Sequence, residues 1–102
     1  MKQNQSYVGI DKDKYGGMSD IGKLIRDAWA FGLIPQSETC AGWDSSRLEQ
    51  LWQQVNNQWV RFDFRVANLP TEIRDNYLLI QQLAVKKAKQ AGWDAQRELD
   101  DD

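Results

Sequence analysis

"LEQLWQQVNNQWVRFDFRVANL", residues 48–69, is the stretch on which the fold turns. Leu48, Trp52, Val55, Trp59, Phe62, Val66 and Leu69 recur at alternating steps of four and three. That spacing places them on one side of a helix, as a heptad-like seam of bulky residues. Leu51 widens the seam. Gln50, Gln53, Gln54, Asn57 and Gln58 supply a polar opposite face. A rival pattern sits inside the same stretch. "VRFDFRV", residues 60–66, alternates apolar and charged residues with period two, as a half-buried strand would. The helical reading is preferred because it keeps Phe62 and Val66 on the seam, and it predicts one long helix to about Ala67.

The flanking residues punctuate this helix. Asp44 and Ser45 compete as its start, Ser46-x-x-Glu49 has capping-box spacing, and Trp43 stands in the staple position. At the other end Leu69-Pro70 breaks the run, and Pro70 suits the first turn of the next helix. There Ile73, Tyr77, Ile80, Ala84, Ala88 and Ala91 form a stripe, with Leu79 and Leu83 beside it. Lys86, Lys87 and Lys89 fall near the C-terminal end, where the helix dipole favours cations, and Gly92 is the terminator.

Upstream, Ser19 is an N-cap and Asp20 a favourable first-turn charge for a helix running to about Phe31, where Gly32 and Pro35 stop it. Gly22 inside that helix suggests a close approach by a neighbouring helix. Trp29 and Phe31 lie about 200° apart on the helical wheel. Either this helix lies between two layers, or one of the two rings faces a partner. Residues 34–43 form a loop. Residues 1–17, polar and ending in Gly16-Gly17, are expected to be a flexible arm, with "SYVGI" a short strand lacking a visible partner. Residues 95–102 are expected to be an acidic tail. The predicted fold is all-α: a three-helix antiparallel bundle over residues 18–94, with the second helix as its spine.

Ala41-Gly42-Trp43-Asp44 recurs as Ala91-Gly92-Trp93-Asp94. Flanking residues do not match at that offset, so the repetition reads as helix punctuation with a Trp anchor rather than a duplication.

Composition removes several chemistries. The chain of 102 residues contains no His and one Cys. Ser-His-Asp and Cys-His catalysis are excluded within one chain, and ordinary zinc sites lack ligands. No cofactor or metal is expected. Thirteen basic against fifteen acidic residues argue against a nucleic-acid or anionic-lipid surface. No apolar run approaches the roughly 20 residues of a membrane span. The single cysteine and the lack of a signal core lead to an expectation of a cytoplasmic setting.

Five tryptophans in so short a chain are its most distinctive feature. Trp is common both in cores and at interface hot spots. Trp29, Phe31, Trp43, Trp52, Trp59 and Trp93 are therefore candidate interaction residues and equally candidate core. The expected function is a non-enzymatic accessory or regulatory module working by self-association or by docking on a larger protein. Two alternatives stay open. Cys40, four residues before a helix start, is a weak candidate catalytic or redox thiol, with Glu38 opposing its ionisation. Gln50, Gln53 and Asn57 would serve a nucleic-acid-binding recognition helix. The acidic pairs Asp20/Asp27 and Glu72/Asp75 are expected to be solvated helix faces.

"RDAW", residues 26–29, and "ETCAGW", residues 38–43, resemble segments of a family of small bacterial proteins to which no activity is attached. The resemblance implies only that Cys40 and Trp43 matter.

Overall fold

The computed structural model describes residues 6–94. The acidic tail expected at 95–102 and the first five residues of the expected arm lie outside them. Three α-helices make up the fold, and the described residues contain no strand: α1 spans Asp20–Ala30, α2 Ser45–Arg61 and α3 Thr71–Gln90.

Each helix starts where its capping chemistry allows. The Ser19 hydroxyl accepts from the Gly22 N–H at 3.0 Å, and Phe31 and Gly32 close α1, with Gly32 at φ 72°. Asp44 wins the second N-cap, its carboxylate accepting from the Arg47 N–H at 2.8 Å. Pro70 precedes α3, and the Ala91-Gly92 turn ends it, with Gly92 at φ 99°. The Ala-Gly-Trp-Asp tetrapeptide is indeed punctuation used two ways. One copy leads into a helix and the other leaves one.

The spine is α1, not α2. It packs against α2 on one side and α3 on the other. Its sequence shows why: Ile25 and Ala28 are fully buried, and Arg26, Asp27 and Ala30 are buried as well. Trp29 and Phe31 each have a layer to face. Phe31 meets Trp59 edge-on at 5.1 Å and stacks on Phe62 at 6.3 Å, both from the end of α2. The Trp29 indole N–H donates to the Glu38 carbonyl at 3.0 Å, and its ring lines a small cavity with Ile80 and Ala84 of α3. The principal core joins Ile10, Ile25, Ala28, Cys40, Trp43, Leu51 and Val55.

The reading of the second helix needs correction. The second helix does not reach Ala67. It ends at Arg61, and Asp63 and Phe64 turn the chain back through left-handed conformations at φ 54° and 57°. Residues 62–65 are therefore neither helix nor strand, and a short 3₁₀ turn follows at Val66–Asn68. Local bonds hold the stop: the Phe62 and Phe64 N–H groups both donate to the Trp59 carbonyl at 3.0 Å, and the Asn68 side-chain amide donates to the Phe62 carbonyl at 3.0 Å. Turning back lets Phe62 stack on Phe31 and buries Leu69 at the entry to α3. The seam is also rotated. Leu51 and Val55 are buried, whereas Trp52 is 54% exposed.

The described part of the N-terminal segment is anchored rather than free. Tyr7 is bonded on both sides to the 39–43 loop: its N–H donates to the Trp43 carbonyl, and the Gly42 N–H donates to its carbonyl, both at 2.8 Å. The Ile10 N–H donates to the Thr39 carbonyl at 3.0 Å, and the Ile10 side chain is buried in the core. The partner that "SYVGI" lacked in sequence is thus the 39–43 loop, which pairs with it through these bonds without forming a strand. Asp13 ties the segment to α1, accepting from the Tyr7 hydroxyl at 2.6 Å and from the Ser19 hydroxyl.

Gly22 provides a close approach, but to a turn and not to a helix. A Cβ at Gly22 would lie 2.0 Å from the Gly17 carbonyl oxygen. The same carbonyl accepts from the Arg26 guanidinium at 2.6 Å.

Candidate aromatic cleft

The sequence places two charged residues, Arg26 and Asp27, side by side on a helix with layers on both flanks. Both are consequently buried, at 6% and 5% exposure. They turn to different surroundings. Arg26 reaches the Gly17 carbonyl and borders the small cavity beside α3. Asp27 sits at the floor of a cleft of about 410 Å³ between α1, α2, the 62–66 turn and α3.

The cleft is walled by aromatic rings. Trp52 and Trp59 come from α2, Phe64 from the turn and Tyr77 from α3. Trp59 stands edge-on to Tyr77 at 5.7 Å, so these two rings form a corner. Trp52 and Phe64 form the outer rim, at 54% and 61% exposure. Polar groups share the lining: Asp20, Lys23 and Asn56 on the walls, and Asp27 below.

The electrostatics centre on Asp27. Its Oδ2 accepts from the Trp59 indole N–H at 3.1 Å. Its Oδ1 is buried with no hydrogen-bond partner among the described residues. Burial pushes the Asp27 carboxyl above its usual range, against the opposing effects of the Trp59 hydrogen bond and the charges of Lys23 and Arg26. Burial likewise raises the Tyr77 hydroxyl, helped by Asp27 and opposed by Arg26. A half-satisfied buried carboxylate is costly, and such groups concentrate at functional sites. Asp27 was expected on a solvated face. The flanking sequence carries the signal: Trp29 and Phe31 offered a helix covered on both sides as one of two readings, and that is the one found.

The other candidate residues are dispersed. Trp43 is buried in the core, and the Arg47 guanidinium lies 3.8 Å over its ring. Trp29 and Phe31 are packed on opposite sides of α1. Trp93 is half-buried beyond the end of α3, where its N–H donates to the Ala88 carbonyl at 2.9 Å. Only Trp52 and Trp59 of the six meet in the cleft; Phe64 and Tyr77 complete it, and neither stood among the candidates. The apolar Phe64 within an alternating run was the available signal.

Cys40 lies in the core with no exposure. Burial, followed by the charge of Glu38, pushes its thiol up to about 11, with Arg47 opposing. The Glu38 carboxylate is held there, accepting from the Cys40 N–H at 3.0 Å. This environment disfavours the thiolate that nucleophilic chemistry needs.

No group of three or more His, Cys, Asp or Glu among the described residues is placed to hold a metal ion. No helix of the described residues is long and apolar enough to cross a membrane. Comparison with protein-family models, with curated proteins and with solved structures finds no match.

Proposed function

We propose that this chain is a non-enzymatic accessory or regulatory module that acts by protein–protein interaction, docking a second copy of itself or a larger protein at the aromatic cleft. The observation that carries this reading is the rim. Trp52 and Phe64 are large aromatic residues, each more than half exposed, on α2 and the turn that follows it. Exposed aromatic residues around a concavity are the usual composition of an interface hot spot. The left-handed turn at Asp63-Phe64 holds Phe64 outside the core, when a helix continued to Ala67 would have carried it elsewhere. A cytoplasmic setting accords with the single buried thiol.

Sedimentation velocity across a concentration series, for the wild type and for Trp52→Ala/Phe64→Ala, tests the self-association arm. Affinity capture from host extract with the same two baits tests the other. A species retained by the wild type and lost with the double variant supports the proposal. Identical sedimentation and identical captured proteins overturn it.

A further inference from the structure

We infer that the cleft takes a guanidinium group, an arginine side chain presented by the protein partner, seated between the aromatic walls above Asp27. The inference rests on the docking reading and specifies what enters the site.

Three observations support it. The first is the floor. Asp27 is buried and its Oδ1 has no hydrogen-bond partner among the described residues, so an acceptor beneath the cleft is left for a donor that enters it. The second is the wall chemistry. Four rings, Trp52, Trp59, Phe64 and Tyr77, border one concavity, and ring faces attract cations through their quadrupoles. The third is the balance of charge. Asp20 and Asp27 face Lys23 alone among the charged residues lining the cleft, leaving it net negative. Asn56 adds a carbonyl acceptor at the wall.

The choice of guanidinium over ammonium follows from geometry. A planar, weakly hydrated cation stacks on an indole face, whereas an ammonium keeps its water. The molecule already contains one such pair, with Arg47 over Trp43 at 3.8 Å. Lys23 is the resident competitor. It lines the same cleft, and its charge acts on Asp27. Removing it should therefore improve binding, while removing Asp27 or Asp20 should weaken it.

The five indole N–H groups make the test direct, because each gives its own resonance in a ¹H–¹⁵N spectrum. The full chain is titrated with N-acetyl-arginine amide and with its neutral isostere, N-acetyl-citrulline amide. The expected result is movement of the Trp52 and Trp59 indole signals with the arginine probe, and weaker or no movement with citrulline. Asp27→Asn and Asp20→Asn should each weaken arginine binding about threefold or more, and Lys23→Gln should tighten it by a similar factor. Equal response to the two probes overturns the inference, as does an affinity unchanged in all three variants. Loss of the cation preference alongside a Trp52-dependent partner in the capture experiment sinks the guanidinium and leaves the docking face standing. Loss of both sinks the two readings together.

Discussion

Trp59 donates its indole N–H to Asp27 at 3.1 Å, joining α2 to α1 across 32 positions of sequence. Among the described residues this is the one hydrogen bond accepted by a carboxylate that burial has stripped of water, so the two side chains should be energetically coupled. Trp59→Phe keeps most of the ring packing and removes the donor. It should destabilise the fold by about 2 kcal/mol, the cost of losing a bond to a charged group. In Asp27→Asn the same substitution should cost less. Urea denaturation of the two single variants and the double variant measures the coupling, and additive effects would contradict it.

Asp27 also sets a pH dependence of known sign. Burial raises its carboxyl in the folded state, so folding favours the protonated form. Its contribution to stability is full below the unfolded value of 3.8 and is lost as pH rises through the raised folded value. Above that range the ionised group opposes folding. Asp27→Asn should therefore be the more stable protein at neutral pH, by about 1 kcal/mol, with the advantage shrinking as acid protonates the wild type. Thermal melts of both proteins from neutral pH down to about pH 4 check this.

Gly22 should tolerate no side chain. A methyl group there meets the Gly17 carbonyl oxygen, a backbone atom held in turn by Arg26. Helix propensity alone would make Gly22→Ala stabilising by about 1 kcal/mol. The steric conflict should reverse that sign and cost about 2 kcal/mol or more, a fall in melting temperature of roughly 10 °C for a chain of this size.

Cys40 should resist alkylation. With the thiol buried and raised to about 11, iodoacetamide at pH 8 should modify the native protein far more slowly than the urea-unfolded chain. Equal rates in the two states would return the thiol to consideration as a reactive group.

The helices and their caps were legible in sequence because capping and helix stopping are local. Ser19, Asp44, Pro70 and Gly92 act within one turn of themselves. The length of the second helix was not legible. Its seam continues to Leu69 on paper, and the turn at Asp63 brings Phe62 onto Phe31 of α1, a tertiary contact that no local pattern announces. The anchoring of residues 7–13 was hidden for the same reason, since the bonds run to Thr39 and Trp43 on a loop with no periodic pattern. The cleft was half visible. The excess of tryptophan pointed to a contact surface, and Trp52 and Trp59 stood among its candidates. Asp27 is not legible because a charged residue on a helix is ordinarily solvated, and the layers on both flanks of α1 that bury it are a tertiary fact.

The docking face is tested most directly in living cells with a photo-reactive benzoylphenylalanine placed at Trp52, compared with one at the exposed Gln54 on the other side of α2. A discrete cross-linked species at position 52 and none at position 54 is the predicted result. No adduct at 52, or the same adducts at both positions, would contradict it.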